Sequence, residues 1–206
     1  MALGRTMRGL ALTVLAAASV FTVAAAYAIR RPLPKSSGRL KLPGLRSGVE
    51  ILRDRWGVPH IYASNLHDVF FAVGYAQAQD RLWQMEFNRR LASGTLADVF
   101  GAPALEVDRL IRRIGFRRAA QRDWENATIQ ERAVLEAFAA GVNAYINQSR
   151  LPLEFTVLRT KPDPWQPVDS LTFGCFLGWT LAGNWDSEII RSWTIERFGA
   201  RLMAEF

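Results

Sequence analysis

The 206-residue chain has one cysteine, two histidines and no acidic residue before Glu50. A single cysteine, Cys175, excludes an internal disulfide framework and any C-x-x-C metal or redox pair. Its neighbours in LTFGCFLGW are apolar, so Cys175 is expected as a buried free thiol rather than a nucleophile. His60 and His67 lack the H-x-x-x-H or carboxylate spacing of a transition-metal site. No G-x-S-x-G elbow occurs, and Ser93, Ser187 and Ser192 have no distinguishing context. No glycine loop suited to cradling phosphate is present either. A self-contained triad, a zinc site and a nucleotide fingerprint are all missing.

The shortage of early acidic residues explains the net charge of +7. Arg5, Arg8, Arg30, Arg31, Lys35, Arg39, Lys41 and Arg46 all precede Glu50, which leaves 18 basic residues against 19 acidic ones beyond them. A nucleic-acid surface needs positive charge gathered on a folded face. Here the excess sits in a leader, so no nucleic-acid partner is expected. With 50% hydrophobic and 22% charged residues, the remainder has the balance of a packed globular protein.

That leader has a targeting pattern. Residues 1–8 form a basic n-region, and the 21 residues 9–29 carry no formal charge, enough for a helix to cross a bilayer core. Ala24-Ala25-Ala26 and Ala26-Tyr27-Ala28 offer small-x-small cleavage sites, so both a signal peptide and a signal anchor remain open. Either form exports the rest, to the periplasm or the outside of the cell. Residues 30–48 mix Pro, Gly, Ser and basic residues without a period and read as a linker, with the folded part beginning near Val49.

Within the folded part, the alternation around Ile51 and the segment from His60 to Ala63, separated by WGVP, predicts a β-hairpin. Asn65 is placed to cap a long helix reaching about Ala92, and Gly94 to stop it. Thr128 and Glu131 form a capping box before a helix in which Leu135, Phe138, Val142, Tyr145 and Ile146 line one face. Prolines at 152, 162, 164 and 167 then interrupt regular structure. Asp169 is expected to cap an apolar helix, and a last helix is expected to start near Asp186 and end at Gly199. Gly74 and Gly178 lie inside helices, where close helix packing is their expected reason. ARLMAEF resembles the opening of a further helix, an expectation of continued fold.

Two polar clusters stand out. Gln79, Asp80, Arg81, Glu86, Arg89 and Arg90 lie on a largely apolar helix, where unpaired charge would cost several kcal/mol, so structural pairing is expected. Asn184, Trp185, Asp186, Ser187 and Glu188 make an oxygen-rich turn between apolar helices. Such oxygens suit a hard cation such as calcium, and capping by Asp186 or Ser187 accounts for them equally well.

DRWGVPHIYA, GYAQAQDRLWQMEFNRRLASGTLADVFG, LEAFAAGVNAYI, LPLEFTVLRTKPDPWQPVDSLTF and NWDSEI follow one another in an order and spacing that closely resemble the α-subunit region of the penicillin amidase (penicillin acylase) family. The resemblance spans residues 49–206. It implies an α+β fold in which this chain is the mostly helical α-subunit portion of a four-layer αββα N-terminal nucleophile hydrolase. It further implies an exported precursor, cut by autoproteolysis, whose β segment begins with a Ser or Cys nucleophile that lies beyond Phe206. The implied partners are that β segment and a small-molecule amide substrate. The implied reaction is hydrolysis of a linear amide between an acyl group and an amine such as a β-lactam nucleus. By the same resemblance, Trp179, Thr180 and Asn184 belong to a helix lining the acyl pocket, and Glu188 is a ligand to a structural calcium shared with the β segment. An acyl-homoserine-lactone acylase of the same family is the alternative, and a non-catalytic, membrane-anchored helical interaction module is a second. The fragment alone is expected to be inactive.

Overall fold

A computed structural model of the chain describes residues 18–24, 26–27, 30, 37–148 and 151–199. Most of residues 9–29, the expected signal peptide or anchor, lie outside them. Among the described residues, no helix is long and apolar enough to cross a membrane. Two compact units divide the chain, one comprising Met1–Phe87 and Thr128–Pro167, the other Asn88–Ala127 and Val168–Phe206.

The first unit opens on an antiparallel hairpin, β1 (Glu50–Arg53) and β2 (Pro59–Tyr62), in which Ile51 faces Ile61 and Leu52 faces His60. Asp54 makes the turn: its Oδ1 accepts the backbone N–H groups of Trp56 at 2.8 Å and Val58 at 3.0 Å, and Gly57 takes a positive φ. Helix α1 (Leu66–Ser93) follows, with Asn65 capping it through a 3.0 Å hydrogen bond from the Asp68 N–H. Arg81 departs from helical geometry and kinks α1.

Helix α5 (Ile129–Gln148) packs against the first part of α1, after the intervening helices given below. Its capping box forms as expected: Glu131 accepts from the Thr128 N–H and hydroxyl, each at 2.8 Å, and Thr128 Oγ1 accepts the Glu131 N–H at 3.3 Å. These bonds hold the Glu131 carboxyl below its ordinary pKa. Phe71, Tyr75, Ala78 and Leu82 from α1 share a core with Val142 and Tyr145 from α5, and with Phe155 on the short helix α6 (Leu153–Val157). Two glycines let the helices touch. A Cβ at Gly74 would fall on the Phe138 carbonyl, and one at Gly141 would fall on that of Phe71. Residues 37–49 have no strand or helix, and Leu42 and Leu45 pack against this core.

The second unit contains α2 (Ala97–Phe100), a 3₁₀ turn (Ala102–Ala104), α3 (Leu105–Ile114) and α4 (Phe116–Asn126), none of which the sequence reading assigned. It ends in α7 (Pro167–Ala182) and α8 (Trp185–Phe198), the latter followed by Gly199 as expected. Asp169 corrects an expectation. α7 begins two residues earlier at Pro167, whose missing N–H costs nothing in a first turn, so Asp169 is not the cap. It lies buried inside the helix instead, 3.5 Å from Arg89 and bonded to Arg117. Gly178 corrects another, because a Cβ there would meet open space.

Candidate functional site

The residues expected at an acyl pocket and a metal lie at the end of α7 and the start of α8. Trp179, half-buried, stacks on Trp185 with ring centroids 5.9 Å apart and meets Phe116 at 5.6 Å. Phe176 joins the cluster, edge-on to Phe116 at 5.7 Å. The indole of Trp179 is therefore one plate of an aromatic wall. Thr180 is exposed, and its hydroxyl donates to the Leu177 carbonyl at 2.8 Å, a local helix bond. Asn184 occupies the cap position of α8 without a side-chain capping bond; its amide donates to Glu188 Oε1 at 3.4 Å. Asp186 does not cap the helix either, since its Oδ1 accepts the next residue's N–H, that of Ser187, at 2.8 Å.

Glu188 is exposed. Calcium takes six to eight oxygen ligands. Among the described residues no three acidic, histidine or cysteine side chains gather where they could hold an ion.

Other polar groups carry the residue types of nucleophile chemistry. Cys175 is half-buried rather than buried, with Sγ 3.8 Å from Asp123 Oδ2. Burial, then the neighbouring carboxylate, pushes its pKa up, so the thiol stays protonated at neutral pH and is a poor nucleophile. Ser47, Asp68 and His67 form a cluster that contains the three residue types of a hydrolase triad. The connectivity is wrong for catalysis: Ser47 Oγ donates to Asp68 Oδ2 at 2.9 Å, and His67 Nδ1 lies 3.1 Å from Asp68 Oδ1. The carboxylate sits in the middle, where the imidazole would have to be to take the hydroxyl proton. His60 is likewise turned to a carboxylate, with Nε2 3.5 Å from Asp54 Oδ2.

Asp68 is the functional-looking residue that sequence reasoning missed, and its role is architectural. Fully buried, it accepts the N–H groups of Arg46 at 2.9 Å and Ser47 at 2.8 Å and the Asn65 amide at 2.7 Å. Burial alone would raise its pKa, but the hydrogen bonds from Arg46, Asn65, His67 and Ser47 outweigh that and hold the carboxyl well below the usual range. The polar residues of α1 are paired as expected where their partners are seen. Asp80 holds Arg53 at 2.8 Å, Gln79 accepts from Arg53 at 2.8 Å, and Arg90 lies 3.6 Å from Asp98. Glu86 is buried, and Arg81 is exposed at the kink.

The hairpin, the capped helix pair and the aromatic turn follow the five motifs in their order along the chain. The family model for penicillin amidase matches residues 48–206. The chain belongs to the penicillin amidase family. It is similar to the penicillin acylase 2 proenzyme of Pseudomonas sp. (strain SE83), at 42% identity over 77% of this chain and 20% of that protein. An acyl-homoserine lactone acylase, QuiP, of Pseudomonas aeruginosa is 37% identical over 84% of the chain and 20% of its own length. Among solved structures, the thermostable penicillin G acylase from Alcaligenes faecalis matches with a TM-score of 0.61 and 29% identity, covering 75% of this chain and 86% of that one. The chain thus spans about a fifth of the length of the curated relatives it matches. The fold is α+β, the mostly helical α-subunit portion of an N-terminal nucleophile hydrolase.

Proposed function

We propose that this penicillin amidase family chain is the leader and α-subunit part of an exported precursor that hydrolyses linear acyl amides, with its nucleophile on a later β segment. One observation carries the reading. α8 is exposed along nearly its whole length although apolar side chains surround it: Trp185, Ile189 and Trp193 follow one another at four-residue spacing, while Ile190, Ile195 and Phe198 fall on other sides. A helix apolar around its circumference is stable only when covered. Leu181, 77% exposed, extends the same apolar character onto the end of α7. A β segment closing over these helices would bury that surface. The proenzyme relative, about five times the length of the matched region, supports it.

In this reading the β segment's terminal Ser or Cys attacks the amide carbonyl carbon. Its own α-amine, with an ordinary pKa of about 7.7 to 8.0, takes the side-chain proton and passes it to the leaving nitrogen. The C–N bond breaks to give an acyl-enzyme and a free amine, and water then releases the acid. Trp179, Thr180 and Asn184 would line the acyl side, where the aromatic wall of Phe116, Phe176 and Trp179 supplies apolar contact. Glu188 would give one carboxylate to a structural calcium completed by β-segment oxygens; the ion would tie the two segments together. The QuiP similarity favours a second reading, in which the amide cleaved is that of an acyl-homoserine lactone.

The test is expression of the full-length gene. Two chains after maturation, a Ser or Cys at the new N-terminus, and hydrolysis of aryl-acyl amides or acyl-homoserine lactones are expected. The start of the mature α chain reports the fate of the leader. No cleavage and no hydrolysis, together with a monodisperse, cooperatively melting 206-residue chain, would sink the reading in favour of a non-catalytic module. Glu188→Gln in the full-length protein is expected to lower bound calcium or slow maturation, read by metal analysis and gel; unchanged calcium and processing would dismiss the ligand role.

A further inference from the structure

The first unit contains a cavity of about 200 Å³ between the 37–49 segment, the hairpin and α1. The apolar part of its wall is formed by Leu40, Leu42, Leu45, Val49, Ile51 and Phe71, and exposed Ser37 and Gly38 belong to its rim. Three polar side chains also line it: Arg53, Tyr75 and Gln79.

Those three groups define what the cavity can accept. The Arg53 guanidinium is already bidentate to Asp80, at 2.8 and 3.0 Å, and also donates to Gln79 and to the Gly57 carbonyl. Its charge is neutralised, so the site offers no net positive charge to an anion. Tyr75 is different. The residue is only 6% exposed, its ring is edge-on to Tyr145, and its hydroxyl meets no hydrogen-bond partner among the described residues. The hydroxyl keeps some exposure and Tyr75 lines the cavity, so an acceptor on a molecule held there can receive its hydrogen bond. Burial also raises the Tyr75 pKa, which keeps the phenol protonated as a donor.

Size sets the remaining limit. An apolar cavity of about 150 Å³ holds benzene. One of about 200 Å³ therefore takes a ring of that size together with a small polar group. The wall is also held in place: Asp68 fastens Arg46 and Ser47, next to Leu45, to the start of α1.

We propose that this cavity is a binding site for a small uncharged molecule bearing an apolar ring or short alkyl group and one carbonyl, which Tyr75 hydrogen-bonds. None of its lining residues is among those assigned to the acyl pocket, and the inference stands whether or not the hydrolase reading does.

The test uses the full-length protein, with its Leu and Ile methyl groups labelled for NMR, titrated with benzamide, benzoate and toluene. Benzamide is expected to shift the methyl signals of Leu42, Leu45 and Ile51, with toluene weaker for want of an acceptor and benzoate weaker because of its charge. Tyr75→Phe removes only the hydroxyl; it should weaken benzamide about five- to tenfold, as loss of one hydrogen bond of about 1 kcal/mol does, and leave toluene unchanged. Val49→Phe puts a larger side chain into the cavity lining and should abolish all three shifts, which keeps the test decisive if Tyr75→Phe fails to fold. Benzamide binding elsewhere, as at an active site, would leave these methyl signals still and survive Val49→Phe. Absent shifts, as when another part of the protein fills the cavity, would overturn the proposal. So would benzoate binding better than benzamide, or Tyr75→Phe binding benzamide as well as the parent.

Discussion

Gly141→Ala is expected to destabilise the protein by about 3 kcal/mol or more, because the added methyl has nowhere to go. Its Cβ would overlap the Phe71 carbonyl and crowd the Tyr75 N–H, both backbone atoms of α1 that cannot rotate aside. Overpacking a rigid core costs about 1 to 3 kcal/mol when side chains can adjust, and more when two helices must separate. Separation here would loosen Phe71, Tyr75 and Val142, which lie at the centre of the same core. Urea unfolding followed by circular dichroism measures the loss; a midpoint equal to the parent's would show that α1 and α5 are not in backbone contact. Gly178→Ala is the contrasting case. Its Cβ meets open space inside α7, so in this chain the substitution should gain about 0.5 to 1 kcal/mol from helix propensity.

Asp68→Ala is the second large effect, expected at about 3 kcal/mol. The change leaves the Arg46 and Ser47 N–H groups and the Asn65 amide without their acceptor, in a place where Asp68 itself is fully buried. The 42–47 segment should loosen with it, visible as faster amide hydrogen exchange at Arg46 and Ser47. The same carboxylate predicts a pH dependence. Its folded pKa lies below the unfolded value of about 3.9, so the folded state binds fewer protons at acid pH. The contribution is fully present above that value and is lost as pH falls below it. Parent protein should therefore lose stability between neutral pH and pH of about 3 more steeply than Asp68→Ala; parallel curves would show that Asp68 carries no such linkage.

The elements that were legible in advance share a cause. The Asn65 cap, the Thr128–Glu131 box and the WGVP break of the hairpin all act across two to four residues, so the chain's order shows them directly. Gly74 was read correctly as a contact glycine. Gly141 was overlooked and Gly178 misassigned, because a glycine's neighbours across a helix pair are not visible in its own helix. Asp169 was taken for a cap for the same reason: its partners Arg89 and Arg117 stand 80 and 52 residues away. α2, α3 and α4 escaped notice altogether. The start of α2 depends on Asp108, buried and eleven to twelve residues further on, which accepts the Leu96 and Ala97 N–H groups at 2.9 and 2.8 Å.

By itself the sequence determined the hairpin, the two capped helices and, through five ordered motifs, membership in the penicillin amidase family. Tertiary structure alone decided that Asp68 clamps Ser47 across 21 residues, that Arg53 is neutralised by Asp80, and that Arg53 and Tyr75 line a cavity together with Leu42, Leu45 and Ile51. The physical reason is range. Capping and turn bonds are fixed by neighbours along the chain, whereas burial and ion pairing depend on which distant segments fold together.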